Sequence, residues 1–399
     1  MKQEVTSKKV FIRTLGCQMN VRDSEVVAGL LKSAGYSLVD EQEKADIVIF
    51  NTCSVRQHAE DKVWSGIGQI VKSCKAKPKQ KIKRVKPLIG LIGCMAQNYQ
   101  DQAFERAAGL DFVVGPSDIA KIPGILDKLT KNKSDLFALK IWETEGEIRP
   151  EEIYHTGFYE EKDHAYVVIS EGCSNFCSYC VVPYVRGRLH NRDCQDIIKE
   201  IDQAVVAGIS RITLLGQNVN AYKSQSTGHK PQVSFIELLK TVNKIKGIKE
   251  FSFLTSHPRD TSIGLFQTMA QCDKLKKNLH LPVQSGSDKI LRSMNRGYTL
   301  KFYLDLVDNY RKIIKGGGLT TDIIVGFPSE TTEEFQETFD LVQEVQFDAA
   351  FIFKYSPRPH ADAAGLADDV PREEKERRHR LILDLQITYS QQRLFVHHD

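Results

Sequence analysis

Short apolar segments alternate with helix-length segments along most of this 399-residue chain, and this alternation limits its fold more than any other feature. Over residues 1–130 the apolar segments are "KVFIRTLGC", "ADIVIFNTC", "KPLIGLIGC" and "DFVVG", and segments with helical periodicity such as "SEVVAGLLKSAGY" lie between them. Strands that alternate with helices indicate a parallel sheet, because parallel neighbours need a crossover connection. We therefore predict an N-terminal domain at 1–130 built on a parallel α/β sheet.

A second series of six strand candidates follows, namely "AYVVIS", "RITLLG", "EFSFL", "NLHLPV", "TTDIIVGF" and "AAFIFKY". Six β–α units in succession predict an open, partial (β/α)6 barrel, which we place at 165–370. The charged stretch at 131–164 is interpreted as a linker, and the segment at 371–399 as a C-terminal helix. The predicted fold class is therefore α/β throughout.

Three of the nine cysteines follow predicted strands of the first domain by one to three residues: Cys17, Cys53 and Cys94. The carboxyl ends of parallel strands share one edge, where such folds bind ligands, so we expect these cysteines to converge on a common metal site. The alternative is that each is a small buried apolar residue. The remaining cysteines outside such motifs are interpreted as non-ligands: Cys74, Cys194 and Cys272.

The chain starts without the apolar core of a secretory signal and has no apolar run of about 18 residues. We therefore expect a cytoplasmic protein with no membrane partner, in which cysteines bind metals or take part in catalysis. The net charge of +4 gives no global argument for nucleic acid. Residues 72–86 carry eight Lys or Arg and no acidic residue. That run is either a phosphate-contacting loop for RNA or a solvated surface loop.

A second group of three cysteines lies in "EGCSNFCSYCVVPYVRGR", directly after the first barrel strand: Cys173, Cys177 and Cys180. In one interpretation, a fourth thiolate elsewhere completes a structural zinc or iron site. In the other, three thiolates hold an iron–sulfur cluster and leave one iron open for a substrate or cofactor. The CxxxCxxC spacing lacks the paired CxxC of zinc sites and favours the second interpretation.

Polar residues lie at or near the ends of the predicted barrel strands, on the face where barrel enzymes assemble their active sites. Each of them alone is equally typical of a turn. Taken together they predict a polar barrel mouth, and we interpret the following as cofactor-binding residues: Gln217, Asn218, Ser256, Gln284, Asp322 and Lys354.

A CxxxCxxC loop at the mouth of a six-unit half-barrel resembles the radical S-adenosylmethionine (SAM) superfamily. The resemblance implies that Cys173, Cys177 and Cys180 hold a 4Fe-4S cluster whose fourth iron binds the amino and carboxylate groups of SAM. It also implies reductive cleavage of SAM to methionine and a 5′-deoxyadenosyl radical. Tyr179 matches an aromatic position of the superfamily and is a further expected cofactor-binding residue.

The motifs "TLGCQMNVRDSE", "NTCSVR" and "GCMAQ", followed by a radical SAM domain, resemble the methylthiotransferase family over residues 9–395. The resemblance implies a second 4Fe-4S cluster on Cys17, Cys53 and Cys94 that takes part in sulfur delivery. It further implies two SAM molecules. One methylates sulfur at the auxiliary cluster, and the other generates the radical that removes hydrogen from an unactivated aromatic carbon.

The segments "CVVPYVRGR", "LLGQNVNAY", "TSHP" and "LHLPVQSGSDKILRSMNRGYT" are most similar to the MiaB-type tRNA enzymes of this family. Those enzymes add a methylthio group to carbon 2 of N6-isopentenyladenosine beside the anticodon. The implied partners are tRNA and an electron donor such as flavodoxin or ferredoxin, and we expect a monomer. Alternative substrates are a ribosomal protein aspartate and threonylcarbamoyl adenosine of tRNA. An alternative of another class is a non-catalytic iron–sulfur protein that binds RNA or carries electrons.

Two features depart from the family pattern. Family members continue into a small β-barrel RNA-binding domain, whereas this sequence stops at Asp399, so we expect that domain to be absent. His360 also stands where the family segment "SPRPGT" has glycine. Near the cysteine loop, Arg186 and Arg188 are interpreted as facing RNA phosphate or the SAM carboxylate, with rim salt bridges as the alternative. His257 is interpreted as a structural residue of the barrel mouth.

Overall fold

The computed structural model of the chain describes residues 7–54, 57–75, 86–131, 140–224 and 232–396. Most of the basic run at 72–86 lies outside the described residues, so its function as an RNA-contacting loop stays a prediction. The chain divides into two compact units. The first contains Met1–Lys162 with Tyr184–Gly187, and the second contains Asp163–Pro183 with Arg188–Asp399.

The first unit is built on a six-stranded sheet in which all neighbouring strands are parallel, in the order β2-β1-β3-β4-β5-β6. Every residue of β3 is buried, as expected for a central strand covered on both faces. The strands are β1 (Lys9–Leu15), β2 (Ser37–Leu38), β3 (Ile47–Thr52), β4 (Leu88–Ile92), β5 (Phe112–Val114) and β6 (Ile141–Glu143). The helices are α1 (Gln18–Ser33), α2 (Gln57–Lys75), α3 (Cys94–Tyr99), α4 (Gln102–Arg106) and α5 (Ile122–Lys131).

The segment interpreted as a linker contributes to this first unit. Its strand β6 pairs with β5 and forms the edge of the sheet. Farther along, Tyr154 is buried, and its carbonyl accepts a hydrogen bond from Arg22 Nη2 of α1 at 2.9 Å. The sequence does not indicate this strand for two reasons: the segment is highly charged, and three residues are too few to show a period-2 pattern.

The second unit contains the predicted barrel strands β7 (His164–Val168), β10 (Arg211–Leu215), β11 (Glu250–Phe253), β12 (Asn278–His280), β13 (Gly318–Val325) and β14 (Ala349–Lys354). They form two three-stranded parallel sheets, β7-β10-β11 and β12-β13-β14. An isolated parallel bridge between Phe251 of β11 and Leu275, three residues before β12, places the approach to β12 beside β11, and Phe251 N–H donates to Lys274 O at 2.9 Å. The six strands therefore lie in chain order, and the predicted partial (β/α)6 barrel is confirmed.

Helices connect the barrel strands, and the last helix covers the final strand. The helices are α6 (Val182–Val185), α7 (Cys194–Val206), α8 (Phe235–Lys244), α9 (Ile263–Gln271), α10 (Asp288–Ser293), α11 (Leu300–Ile313), α12 (Thr332–Val345) and α13 (Arg372–Val396). A short antiparallel ribbon of β8 (Ser170–Glu171) and β9 (His190–Asn191) closes the cysteine loop at its base. Within the described ranges, no helix combines the length and apolar content that a membrane crossing requires.

Candidate active site

The structure brings the three cysteines of the first unit together at the carboxyl edge of its sheet. Cys17 lies two residues after β1, Cys53 directly follows β3, and Cys94 begins α3 two residues after β4. The Cys53 thiol donates a hydrogen bond to Cys17, and Cys94 lies close enough to Cys17 for their charges to interact. Cys53 and Cys94 are buried, whereas Cys17 is partly exposed. The parallel topology therefore brings together residues that lie 36 and 41 positions apart in sequence.

Two asparagines and two glycines shape the turns that carry these cysteines. Asn20 Oδ1 accepts the Cys17 backbone N–H at 3.3 Å, and Asn20 Nδ2 donates to Asn51 Oδ1 at 3.0 Å. A Cβ on Gly16 would lie 2.3 Å from Asn20 Oδ1. A Cβ on Gly93 would lie 2.4 Å from Asn51 Oδ1, and Gly93 also has a φ of +87°. The Gly-Cys pairs at 16–17 and 93–94 thus permit backbone, asparagine and thiol to pack closely.

Gly93→Ala is expected to destabilise the first unit because it adds a steric clash to an unfavourable backbone conformation. Gly35→Ala is a matched control, since Gly35 has the same φ of +87° and its Cβ would meet nothing within 4 Å. We expect Gly93→Ala to cost about 1–3 kcal/mol more than Gly35→Ala. Chemical unfolding followed by tryptophan fluorescence measures the difference, because both tryptophans, Trp64 and Trp142, belong to the first unit. Equal destabilisation by the two variants would contradict this packing argument.

A buried charge cluster adjoins Cys94. Asp23 accepts hydrogen bonds from Arg149 Nη1 at 2.7 Å and from Arg186 Nη2 at 2.6 Å. Arg186 Nε donates to Cys94 Sγ at 3.1 Å. All three charged side chains are at most 2% exposed. Arg186 is therefore a buried ion-pair partner of Asp23 that also contacts Cys94, so the alternative of a salt bridge describes it and the interpretation that it faces RNA phosphate or the SAM carboxylate does not. Arg188 lies with its guanidinium 5.7 Å from the centre of the Phe176 ring.

The thiols of the first unit differ in pKa. The hydrogen bond from Cys53, together with the positive charge of Arg186, lowers the pKa of Cys17 to about 6. Burial raises the pKa of Cys94. A buried thiolate needs a positive neighbour, and a bound metal centre supplies one. In the described part of the chain, no three His, Cys, Asp or Glu side chains have the geometry to hold a single metal ion. A 4Fe-4S cluster binds each thiolate at a separate iron rather than at one shared ion, and three thiols at one sheet edge with a basic neighbour match that donor set.

The cysteine loop of the second unit is held by residues 293–296, which are the last residue of α10 and the three that follow it. Ser178 N–H donates to Met294 O at 3.1 Å, and Ser178 Oγ donates to Ser293 O at 2.8 Å. Asn295 Nδ2 donates to Phe176 O at 2.8 Å. Arg296 Nη1 lies 3.3 Å from Cys177 Sγ. The quoted motif "LRSMNRGYT" therefore fixes the conformation of the cysteine loop.

The three cysteines of this loop lie close together, with Cys177 buried and Cys173 and Cys180 partly exposed. The charge of Cys177 acts on both Cys173 and Cys180. Burial raises the pKa of Cys173 and raises that of Cys180 to about 12. Even with Arg296 beside it, the loop therefore favours neutral thiols at Cys173 and Cys180 until a metal centre binds. An iron–sulfur cluster would supply the positive charge that stabilises three thiolates here, so the donor set fits a cluster held by three cysteines.

Three buried polar atoms at the ends of the neighbouring strands β10 and β11 have no hydrogen-bond partner among the described residues: Asn218 Oδ1, Ser256 Oγ and His257 Nε2. Their side chains are between 3% and 5% exposed. Buried polar atoms are normally paired, so unpaired ones at a barrel mouth indicate a position for a polar ligand. The amino, carboxylate and hydroxyl groups of SAM offer the hydrogen-bonding partners that these atoms need, and this fits the expected cofactor.

Comparisons with known proteins agree with this geometry. Residues 9–115 match the model described as "Uncharacterized protein family UPF0004", and residues 167–342 match the Radical SAM superfamily. The tRNA-2-methylthio-N(6)-dimethylallyladenosine synthase of Carboxydothermus hydrogenoformans is 43% identical over 389 residues, which cover 96% of this chain and 84% of the relative. The corresponding synthase of Syntrophomonas wolfei is 44% identical over 370 residues, covering 93% of this chain and 80% of the relative. The chain belongs to this synthase family. The resemblance to the radical SAM methylthiotransferases is confirmed.

Solved structures of other radical SAM enzymes share the fold of this family member. The methyltransferase TsrM from Kitasatospora setae matches with a TM-score of 0.60 and 13% identity, covering 90% of this chain and 75% of TsrM. The cobalamin-dependent enzyme OxsB matches with a TM-score of 0.54 and 13% identity, covering 97% of this chain and 56% of OxsB. These two likenesses concern the fold alone.

The residues interpreted as cofactor-binding differ from one another in burial and in hydrogen-bond partners. Asn218 Nδ2 donates to Asp260 Oδ2 at 2.6 Å, so only its oxygen is left for a ligand. Gln217 is half-buried, and Gln284 is buried with a φ of +79°. The Tyr179 hydroxyl lies 3.4 Å from Arg296 Nη1, and its ring packs on an apolar cluster. A direct contact of Tyr179 or Gln284 with SAM stays a prediction.

Asp322 and Lys354 each lie near a charged or titratable side chain, and contact of either with SAM stays a prediction. Asp322 is in the middle of β13, where its carboxylate is 3.4 Å from His280 Nε2. Lys354 is paired in register with Val325, a fully buried residue, and its ammonium is 3.5 Å from Glu376 of α13. Paired residues of neighbouring strands share a face, so Lys354 lies on the helix side of the barrel wall. Period-2 alternation along "AAFIFKY" is the sequence signal that distinguishes these faces.

His360, the departure from the family glycine, has a φ of +69°. This left-handed conformation favours glycine, which explains in physical terms why the family pattern has glycine there. Sequence reasoning missed Asp23, Arg149 and Arg296 altogether. Asp23 and Arg296 lie within family motifs, but no local pattern indicates which distant thiol or carboxylate a charged residue will contact.

His257 is expected to make the second unit less stable in mild acid. Burial, reinforced by the charges of Arg296 and Arg259, lowers the pKa of His257 to about 2. Folded protein therefore keeps this imidazole neutral, while unfolded protein binds a proton below pH of about 6.5, so stability falls as pH drops through that value. Relative to His257→Asn, wild type should lose about 1.4 kcal/mol between pH 8 and pH 5.5. Hydrogen exchange of β10 and β11 measures this, and identical pH dependence in both proteins would show that His257 is not responsible.

Proposed function

We propose that this chain is a radical SAM methylthiotransferase that modifies tRNA. It adds a methylthio group to carbon 2 of N6-dimethylallyladenosine, the nucleoside named N6-isopentenyladenosine above, next to the anticodon, and it uses two SAM molecules. The observation that carries this proposal is the 43% identity over 389 residues to a tRNA-2-methylthio-N(6)-dimethylallyladenosine synthase. The cofactors are SAM and 4Fe-4S clusters, in agreement with the matched superfamily.

The two cysteine groups would hold the clusters. Cys173, Cys177 and Cys180 leave one iron corner without a protein ligand and would hold the cluster that binds SAM. The second group, in the first unit, would hold the auxiliary cluster: Cys17, Cys53 and Cys94. When bound, the clusters supply a single electron to SAM and a site for sulfur.

Side chains at the barrel mouth would bind and orient SAM. Asn218, Ser256 and His257 offer unpaired polar atoms at the barrel mouth, which would hold the polar groups of SAM. His257 is neutral near pH 7, so it contributes a hydrogen bond without a charge. A general base would not serve here, because removing the proton from carbon 2 of an adenine would leave a carbanion that nothing stabilises. The protein instead fixes geometry and excludes water from a reactive radical.

The finer partners belong to the same proposal. The reductant is a flavodoxin- or ferredoxin-type protein, since a low-potential cluster needs a low-potential donor. The enzyme acts as a monomer in the cytoplasm, where tRNA is available. Phosphate contacts to tRNA are expected from the basic run at 72–86, which carries eight cationic residues in the sequence.

Mass spectrometry of tRNA nucleosides tests the substrate. Cells that lack the gene should lose the 2-methylthio-N6-isopentenyl nucleoside and accumulate its precursor, and reintroducing the gene should restore it. Loss of a methylthio group from threonylcarbamoyl adenosine, or from a ribosomal protein aspartate, would assign the enzyme to the alternative substrates.

A separate assay tests for catalysis. Anaerobically reconstituted protein with SAM and dithionite should release 5′-deoxyadenosine, whereas an iron–sulfur protein that only binds RNA or carries electrons would release none.

A further inference from the structure

Arg296 is a buried cation whose contacts are a thiol, two phenols and a carbonyl. It is 3% exposed. Its Nη2 donates to Pro282 O at 2.7 Å and its Nε to Tyr298 Oη at 3.0 Å. Its Nη1 lies 3.3 Å from Cys177 Sγ and 3.4 Å from Tyr179 Oη. Among the residues that the structure describes, no carboxylate forms an ion pair with it, and the titratable groups in direct contact with it are Cys177, Tyr179 and Tyr298.

The other buried arginines of the second unit differ from Arg296 in this respect. Arg192 contacts the carboxylates of Asp196 and Glu200, and Arg378 contacts Glu330 at 2.7 Å. Burying a charge is costly unless an opposite charge compensates it. The thiol of Cys177, 3.3 Å from Arg296 Nη1, is the one contact of Arg296 among the described residues that becomes an anion when a metal centre binds, and it belongs to the group of three cysteines that would hold the cluster. The compensating anion for Arg296 is therefore the cysteine group itself in its thiolate form.

We propose that Arg296 is the positioning residue of the radical SAM cluster, fixing the Cys177 thiolate by a charge-assisted hydrogen bond and raising the reduction potential of the cluster. This inference rests on the proposed function. Reduction adds one electron and makes the cluster with its thiolates more negative. A fixed guanidinium at 3.3 Å from one ligand sulfur stabilises the more negative state. Arg296 thereby makes the cluster easier to reduce by a physiological donor.

The first unit offers a comparison within the same chain. Arg186 Nε donates to Cys94 Sγ at 3.1 Å, but its charge is shared with Asp23 at 2.6 Å. A carboxylate partner offsets part of the guanidinium charge, whereas Arg296 has only neutral partners besides the thiol. The effect of the cation on the potential should therefore be larger for the radical SAM cluster than for the auxiliary cluster.

Redox titration followed by electron paramagnetic resonance tests the proposal. The titration uses dithionite as the electron source and the full chain with Cys17, Cys53 and Cys94 replaced by alanine, so that only one cluster contributes. In Arg296→Met, the ratio of reduced to oxidised cluster at a fixed potential should fall about tenfold, which is about 59 mV for a one-electron couple. Arg296→Lys keeps the charge, but its ammonium cannot donate hydrogen bonds to all four acceptors. It should lower the ratio of reduced to oxidised cluster about threefold. Arg192→Met is the control for loss of a buried arginine and should leave the ratio unchanged.

Each outcome decides the matter. An Arg296→Met protein that binds about four irons per chain and keeps the wild-type midpoint overturns the proposal. If that variant binds no iron, Arg296→Lys decides, and a wild-type midpoint in it overturns the proposal as well. An equal shift in Arg192→Met would show that the effect is merely structural. Absence of any iron–sulfur signal in the parent protein would instead refute the proposed function, so the two failures are distinguishable.

Discussion

Replacing Cys173, Cys177 and Cys180 together with alanine is expected to abolish 5′-deoxyadenosine formation while leaving about four irons per chain. The reason is that the two cysteine groups belong to different compact units, each with its own supporting contacts. The loop of the second unit is held by residues 293–296, whereas the first-unit cysteines are held by Asn20, Asn51 and Arg186. Loss of one group therefore leaves the other site intact. Iron and sulfide analysis of anaerobically reconstituted protein, with an assay for 5′-deoxyadenosine, measures both effects.

The complementary variant is the matched control for this experiment. Replacing Cys17, Cys53 and Cys94 should also leave about four irons, but it should preserve 5′-deoxyadenosine formation and abolish only methylthio transfer. A third variant, Cys194→Ala, changes a cysteine at the start of α7 and should keep about eight irons and full activity. Iron near zero in either triple variant would show that the two groups do not bind independently. Residual 5′-deoxyadenosine in the first variant would refute the assignment of the loop.

The fold was predictable because its signal is local. Each strand of the barrel is a short apolar run, and alternation with helices determines parallel pairing without knowledge of distant contacts. The same logic placed Cys17, Cys53 and Cys94 at one edge, since each lies one or two residues after a strand and parallel strands end together. The short strand β6 escaped prediction, because its three residues lie in a charged segment and show no period.

The charged residues around the thiols were not predictable, because their partners are distant in sequence. Arg186 lies 163 residues from Asp23, and Arg296 lies 119 residues from Cys177. Such pairs depend on which distant segments the fold brings together, and hydrophobic periodicity carries no information about those tertiary contacts. The motif around Arg296 indicated a family, but only the coordinates show that its guanidinium contacts a cysteine. The position of Lys354 near a strand end likewise gave no indication that its ammonium would lie 3.5 Å from Glu376 of α13.

Asp23→Asn is expected to destabilise the first unit by about 3–5 kcal/mol at pH 7, because it leaves two buried guanidinium groups without their carboxylate. Asp23 is the shared partner of Arg149 and Arg186, at 2.7 Å and 2.6 Å. Burial alone would raise the pKa of Asp23, but the charges of the two arginines outweigh it and lower that pKa. The carboxylate therefore stabilises the fold above pH of about 3.9, and this contribution is lost as pH falls through the lowered pKa. The penalty of Asp23→Asn should shrink in the same acidic range.

Tryptophan fluorescence during chemical unfolding measures this change, since both tryptophans belong to the first unit. Asp127→Asn is the matched control, because Asp127 pairs with Lys131 on the exposed surface of α5 and should leave the unfolding midpoint unchanged. Loss of Asp23 also frees Arg186 from the contact that holds it against Cys94, so iron at the auxiliary site should fall while iron at the radical SAM loop is kept. Wild-type stability together with full iron content in Asp23→Asn would show that the buried arginines find their compensation elsewhere, and that the carboxylate neither stabilises the first unit nor positions its thiols.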